Sequence, residues 1–521
     1  MSASQASPAG GQSSAPNRWI ILFFSVLSMV AVANFQYGWT LFVKPLQKQF
    51  SAEGAVIQIT FTVFVLLETW LVPFEGWLVD KFGPRLLVML GGVLAGLGWV
   101  GSGKAGTITG LYLSYAIAGI GAGIVYGTAV GSALKWFPDH RGLAAGLTAA
   151  GFGAGSAFTV APIADLIASS GYQTAFIRWG IIQGITVMIA ACFLQAPPAG
   201  WLPKTWRTGP AGIDVRKRQS GGDFTSLQMV ATPHFWVMYL MMVLVATGGL
   251  IAVAQLGPIA SDFKVDKVPV SMFGLTMGAL TFALSADRLL NGFCRPFWGW
   301  ISDHIGRELT MGIAFGLQAV AIFVLIQFAS DPRLFVICSA FTFFAWGEIF
   351  SLFPALCGDF FGRKFATANY GFLYTAKGTA AVFVPIGSAL AAGKAFDFRA
   401  DILLLIGGAL AFFAVFLGPT VMHIDLSPAV KRTMLLSAAV IGTYGLTISV
   451  YSKLWTPFQA TYTLPKGGWA AVFGVAIVFN VLASLLAFFA LRSMKVPGLP
   501  IPQPVSSPTA QPQTAAAAHG D

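Results

Sequence analysis

The sequence is poor in charged residues and in the side chains that bind metals. Only 10% of its 521 residues are Asp, Glu, Lys or Arg, against about 25% in soluble domains, and 56% are hydrophobic. A soluble domain cannot bury so much apolar surface, and a disordered chain has the opposite composition. The four cysteines and five histidines are scattered, without the spacing of a zinc site or a disulfide framework. This composition excludes an ordinary soluble enzyme, and we predict no metal, cofactor or catalytic site.

Long apolar runs are what the sequence has in abundance. Each is close to the length of about 20 residues that crosses a bilayer as a helix. Strands of membrane barrels are shorter and alternate in polarity, so we predict an all-α polytopic membrane protein. The fourteen stretches lie near 19–43, 56–79, 86–103, 108–133, 143–167, 174–196, 232–260, 271–302, 309–330, 334–357, 367–393, 401–422, 433–452 and 468–491.

The widest polar connection, 197–231, divides the first twelve stretches into two sets of six. We predict a cytoplasmic N-terminal tail (1–18), bundles at 19–196 and 232–424, two additional C-terminal helices (431–492) and a disordered cytoplasmic tail (493–521). The net charge of +11 lies mostly in loops, and the predicted cytoplasmic segments hold 17 of the 31 Lys and Arg residues against 11 in the outer loops. This modest bias, supplied mostly by the central connection 197–231, predicts cytoplasmic termini in an inner (plasma) membrane. We expect a monomer whose partners include the lipid bilayer but no nucleic acid. The segment 98–105 nearly matches a phosphate-binding loop, but no strand precedes it, so no nucleotide site is predicted.

One decapeptide occurs twice, six predicted helices apart. GWLVDKFGPR begins at position 76 and GWISDHIGRE at position 299, so the two halves are related as in transporters built from repeats. The motif resembles the inter-helix motif of the major facilitator superfamily, over about residues 17–424. That resemblance implies two six-helix bundles that alternate access to one central site. The motif residues are Gly76, Asp80, Gly83, Arg85, Gly299, Asp303, Gly306 and Arg307.

Two cations fall near the middle of predicted membrane helices. Arg295 lies roughly 12 Å from the loop at Asp303, and Lys377 lies roughly 16 Å from the other end of its own helix. A charge at that depth is costly and needs a functional or structural partner. An anion could join the two cations, because Arg offers a planar fork and Lys a compact charge for carboxylates. The alternative is that each cation is neutralised by a buried acid of the protein.

The sequences around both cations resemble the oxalate–formate antiporter branch of the superfamily. The matching segments are NGFCRPFWGWISDHIGR, ATANYGFLYTAKGTA, NFQYGWTLF and the long run from 123 to 155. The resemblance implies that Arg295 and Lys377 bind substrate carboxylates and that aromatic side chains enclose the anion. Similar monocarboxylate carriers keep the Arg but lack this Lys, so having both favours a small dicarboxylate. The further implied substrate-binding residues are Gln36, Tyr37, Tyr126, Phe152, Trp346, Phe350 and Tyr374.

Four additional charges in the apolar stretches depart from that family pattern. Glu68 is either a proton carrier or half of a buried ion pair. We expect Arg288 to pair with Asp287 or another acid, although a relay along the anion path stays open. Glu348 points away from Trp346 by helical period, which predicts a partner on a neighbouring helix.

The function predicted from these observations is secondary transport of small organic anions. The first hypothesis is oxalate/formate antiport by alternating access, in which the substrate bridges Arg295 and Lys377. The second is a proton-coupled monocarboxylate (lactate-like) symporter with Glu68 as proton carrier and Arg295 as main anchor. A membrane receptor is disfavoured because no folded cytoplasmic output domain is predicted.

Overall fold

The computed structural model describes residues 17–137, 141–198, 201, 203, 222–362, 365–393, 395–398, 460–463 and 468–494. The first half contains eight helices: α1 Arg18–Tyr37, α2 Thr40–Phe50, α3 Gly54–Trp70, α4 Val72–Phe82, α5 Pro84–Lys104, α6 Ile108–Trp136, α7 Arg141–Ala154 and α8 Val160–Cys192. Gly171 has a φ of 83° and interrupts α8. The single element α8 therefore holds the end of the predicted stretch 143–167 and all but the last residues of 174–196.

The second half is also mostly helical and adds two short pairs of strands. Its elements are α9 Ser226–Val230, α10 Pro233–Asp262, β1 Pro269–Met272, β2 Leu275–Gly278, α11 Ala279–Ile305, α12 Arg307–Phe328, α13 Pro332–Trp346, α14 Ile349–Phe361, α15 Ala366–Ala381, α16 Phe383–Ala392, β3 Ala395–Phe398, β4 Ala460–Thr463 and α17 Gly468–Leu485, which continues as a π-helical turn over Leu486–Leu491. β1 and β2 form an antiparallel hairpin, as do β3 and β4.

Ten helical stretches among the described residues are long and apolar enough to span a membrane. α11 is not one of them, because the charges that it carries lower its apolar character. The prediction that this stretch begins at 271 is wrong, since 269–278 forms the β1–β2 hairpin and the helix starts at Ala279. The predicted stretches 401–422 and 433–452 lie outside the described residues.

Several predicted spans are pairs of helices with a break in the apolar region. Gly38 and Trp39 separate α1 from α2, Leu71 separates α3 from α4, and Gly347 and Glu348 separate α13 from α14. A break leaves backbone groups without their helical partners, which membrane proteins tolerate only where protein surrounds them. Three predicted site residues lie next to these breaks: Tyr37, Trp346 and Phe350.

The repeated motif adopts the same backbone in both halves. Gly83 ends α4 with a φ of 80°, and Gly306 ends α11 with a φ of 97°. Such values suit glycine, which has no Cβ, and they turn the chain directly into α5 and α12. In the second half, Arg307 reaches Asp303 (2.7 Å) and Asp359 at the end of α14 (3.2 Å). The side chain of Asp80 is outside the described part, and Arg85 is exposed.

The final described helix packs within the second half. In the first half α5 packs closely on α6 and α8, and in the second half α12 packs on α13 and α17. α17 also contacts α10 and α16. α5 and α12 each follow one copy of the repeated motif. α17 therefore packs on α12 in the way that α8 packs on α5.

Candidate functional site

The nine predicted substrate-binding residues come together between the two halves. α1, α6 and α7 supply four of them, and α11, α13, α14 and α15 supply five. None is more than 5% exposed, so the site is closed to solvent in this conformation. The residues are Gln36, Tyr37, Tyr126, Phe152, Arg295, Trp346, Phe350, Tyr374 and Lys377.

The six aromatic rings form a continuous enclosure across the two halves. Tyr126 of α6 stacks on Tyr374 of α15 with an interplanar angle of 9°, and this contact joins the halves directly. The centroid distances are 5.2 Å for Tyr126–Tyr374, 5.4 Å for Tyr37–Phe152, 5.3 Å for Tyr126–Phe152, 5.4 Å for Trp346–Phe350 and 6.3 Å for Phe350–Tyr374. Such a wall excludes water and strengthens the electrostatic interactions inside it.

Lys377 is already occupied by groups of the protein. Its Nζ donates to Glu68 Oε2 at 3.0 Å, Gln36 Oε1 at 2.7 Å and the Tyr374 hydroxyl at 3.1 Å. Both members of the Lys377–Glu68 pair are fully buried. Of the two alternatives left open for the cations, neutralisation by a buried acid of the protein is therefore the one found for Lys377 in this conformation. Of the two options left open for Glu68, this conformation contains the ion pair.

Arg295 has polar partners but no acidic one among the described residues. Its guanidinium donates to the Ala149 carbonyl (2.5 Å), Asn291 Oδ1 (2.9 Å) and the Tyr37 hydroxyl (3.4 Å). The Phe350 ring lies 4.4 Å from Arg295 Cζ and 5.7 Å from Lys377 Nζ, so one ring contacts both cations. Arg295 thus keeps a positive charge without a counter-ion inside the enclosure.

The unpaired buried donors around Arg295 indicate what kind of ligand fits. Gln36 Nε2, Asn291 Nδ2, Arg295 Nε and Trp346 Nε1 all lack hydrogen-bond partners, and a buried polar group without one is destabilising. Each of these atoms can only donate, so a ligand rich in acceptor oxygens would satisfy them. Asn291 was missed by the sequence reasoning, although it lies one helical turn before Arg295.

Asp287 and Arg288 are both buried but do not hydrogen-bond to each other. Asp287 Oδ1 accepts from Ser339 on α13 at 2.9 Å. The Arg288 guanidinium lies between the rings of Tyr37 and Phe343, and its nitrogens have no hydrogen-bond partner. Arg288 therefore interacts with Asp287 electrostatically, as expected, but without the hydrogen bonds of an ion pair.

Two further buried carboxylates lie in or shortly after the helix breaks described above. Glu348, the residue before α14, has no hydrogen-bond partner for either oxygen, which contradicts the predicted partner on a neighbouring helix. Glu75 on α4 is also buried without a partner, against Gly123 and Gly127 of α6. Sequence reasoning missed Glu75, although an acid seven residues after Glu68 in an apolar stretch could have identified it. Among the described residues, no group of His, Cys, Asp and Glu could hold a metal ion.

Comparison with known proteins agrees with this architecture. The family model for the Major Facilitator Superfamily matches residues 19–291 and 270–435. The oxalate:formate antiporter of Oxalobacter formigenes is 37% identical over 411 residues, which cover 78% of this chain and 92% of that protein. Monocarboxylate transporter 13 of Rattus norvegicus is 22% identical over 65% of this chain and 75% of its own length.

The fold also matches solved structures. A bacterial homologue of the human lysosomal transporter Spinster, inward-facing and unoccupied, superposes with a TM-score of 0.56 at 17% identity, covering 93% of this chain and 98% of that one. The chain belongs to the major facilitator superfamily, and it is a multi-pass membrane transporter rather than an enzyme.

Proposed function

We propose that the protein exchanges small carboxylates across the membrane by alternating access, with oxalate against formate as the first pair to test. The observation that carries this proposal is Arg295, a buried cation with no acidic partner among the described residues, enclosed by aromatic rings and surrounded by unpaired donors. The 37% identity to an oxalate:formate antiporter supports the same substrate class. In this proposal the protein acts as a monomer in the inner membrane, with cytoplasmic termini and the β1–β2 hairpin outside.

Glu68 adds a step to the mechanism in which substrate simply bridges Arg295 and Lys377. In the ligand-free site, Glu68 serves as an internal counter-ion for Lys377. A dicarboxylate would bind Arg295 through one carboxylate and displace Glu68 from Lys377 with the other. Lys377 reaches across the two halves to α1 and α3, and Arg295 reaches across to α1 and α7. Exchange of these contacts is therefore coupled to the relative position of the bundles.

Proton-coupled symport of a monocarboxylate is the second candidate, and the buried Lys377–Glu68 pair favours it. Protonation of Glu68 would remove one charge of the pair and release its bond between α3 and α15. A single carboxylate could then bind at Arg295 alone. The likeness to Monocarboxylate transporter 13, although only 22% identical, is compatible with this candidate.

The test uses proteoliposomes loaded with formate and supplied with external radiolabelled oxalate. We expect oxalate uptake that requires internal formate and is lost in Lys377→Ala. The matched control is Lys44→Ala, because Lys44 is an exposed lysine whose partner is Asp262. Failure of oxalate to exchange would reject the substrate, and wild-type transport by Lys377→Ala would reject the mechanism. Uptake into formate-free vesicles under an imposed pH gradient would instead establish symport.

A further inference from the structure

Arg288 is a buried guanidinium with no hydrogen-bonding partner. Its exposure is 0%, and none of its three nitrogens donates to an acceptor. Burying an arginine without an acceptor is strongly unfavourable, because the charge and its five N–H groups all lose water. A buried, unsatisfied arginine inside a membrane segment indicates a functional anion-binding group.

The groups that surround Arg288 stabilise its charge but leave its N–H groups free. The ring centroids of Tyr37 and Phe343 lie 4.5 Å and 4.4 Å from its Cζ. Aromatic faces attract a cation, yet they supply no oxygen for bidentate hydrogen bonding. The guanidinium is therefore held in one position with its donors unused.

The neighbouring acid is directed elsewhere. Asp287 is bound by Ser339 of α13, and consecutive residues of a helix point about 100° apart. The two charges still interact electrostatically, but the carboxylate of Asp287 accepts no hydrogen bond from Arg288. The N–H groups of the guanidinium therefore stay available to another acceptor.

Tyr37 connects Arg288 to the proposed carboxylate site. Arg288 precedes Arg295 by seven residues on α11, which places the two on the same helical face about 10 Å apart. The ring of Tyr37 contacts Arg288, and its hydroxyl accepts from Arg295 at 3.4 Å. Arg288 is the nearer of the two to the β1–β2 hairpin, where α11 begins.

We propose that Arg288 is a second carboxylate-binding station on the path between the hairpin side of the membrane and Arg295. This inference rests on the proposed transport of small carboxylates. The carboxylate binds the fork of Arg288 first and then passes Tyr37 to reach Arg295. Because the station lies on the path, it controls the rate of passage rather than the affinity of the central site.

The experiment compares exchange rate with equilibrium affinity in Arg288→Gln. We expect kcat/KM for oxalate–formate exchange in proteoliposomes to fall about tenfold, because the neutral amide of Gln makes a weaker contact with a carboxylate than the charge-assisted one of Arg. The Kd for oxalate, measured on the purified protein by tryptophan fluorescence, should stay within twofold of wild type. Arg288→Lys keeps the charge but loses the planar fork, so its kcat/KM should lie between those of wild type and Arg288→Gln. It also replaces the Gln variant in the test if that variant does not fold. The matched control is Arg333→Gln, an exposed arginine at the start of α13 on the same side as the hairpin.

Two results would overturn the station. Both variants could exchange at the wild-type rate, or both could weaken the oxalate Kd as much as the rate, which would make Arg288 a structural support of Tyr37. Failure of the underlying function looks different, because the wild type itself would then exchange no oxalate. An active wild type with unaffected Arg288 variants rejects the station alone.

Discussion

Replacing Glu68 with Gln tests whether the internal counter-ion competes with substrate. Glu68 and Lys377 are fully buried and 3.0 Å apart, so a second substrate carboxylate must displace Glu68 to reach Lys377. A charge-assisted bond contributes about 1.5–3 kcal/mol net and a neutral one about 0.5–1.5 kcal/mol. The Gln side chain keeps the shape and one acceptor, so the competitor weakens by about 1–1.5 kcal/mol. We therefore expect the KM for oxalate to fall roughly five- to twelvefold.

The assay is oxalate–formate exchange in proteoliposomes, combined with thermal unfolding with and without oxalate. Ligand-free Glu68→Gln should unfold at a lower temperature than wild type, since Lys377 loses the charge of its partner Glu68, and oxalate should restore more stability than in wild type. Glu75→Gln is the matched control, because Glu75 is a buried acid of the same predicted span without a hydrogen-bond partner. A folded Glu68→Gln protein with an unchanged or higher oxalate KM would refute the reasoning.

Three further predictions follow from other contacts. Arg295→Lys keeps the charge but loses the fork, so exchange should fall at least tenfold in a transport assay, and wild-type activity would contradict its role as anchor. A Cβ at Gly257 would lie 2.6 Å from the backbone oxygen of Thr40, which is too close for α2 and α10 to keep their present contact. Gly257→Ala should therefore slow exchange while oxalate still binds. An unaffected exchange rate would show that α2 and α10 need not approach this closely. The exposed Lys44–Asp262 pair should contribute no more than about 1 kcal/mol, so Lys44→Ala should leave thermal unfolding nearly unchanged, and a large destabilisation would disprove this.

Local patterns in the sequence were sufficient for the all-helical class and for the relation between the halves. Apolar length predicted fourteen spans, of which the described residues contain ten helical stretches long and apolar enough to cross a membrane. The repeated decapeptide predicted that the halves are equivalent, and the similar φ values of Gly83 and Gly306 agree with this. The hairpin at 269–278 was missed, because a short apolar strand next to a helix adds to the apolar run without a change in composition. The gathering of nine residues around one enclosure was expected only through the resemblance to a known family.

The partners of the buried charges could not be predicted in the same way. Adjacent Asp287 and Arg288 suggested a pair, yet α13 provides Ser339 to the acid and leaves the arginine between two rings. Glu348 was expected to find a partner on a neighbouring helix, yet neither oxygen of its carboxylate has a hydrogen-bond partner in this conformation. Neighbours in sequence on a helix point in different directions, so the surrounding helices decide which groups meet.

The sequence by itself determined that this protein resides in a membrane, that its halves are related, and that two cations lie deep within it. Only the tertiary structure decided that Lys377 binds an acid 309 residues away, whereas the partners of Arg295 among the described residues are neutral groups. The length of an apolar run and a repeated turn motif are local properties, because each depends on residues that are consecutive in the sequence. A charge pair buried between helices depends on which faces meet after folding, and that is a property of the packed bundles alone.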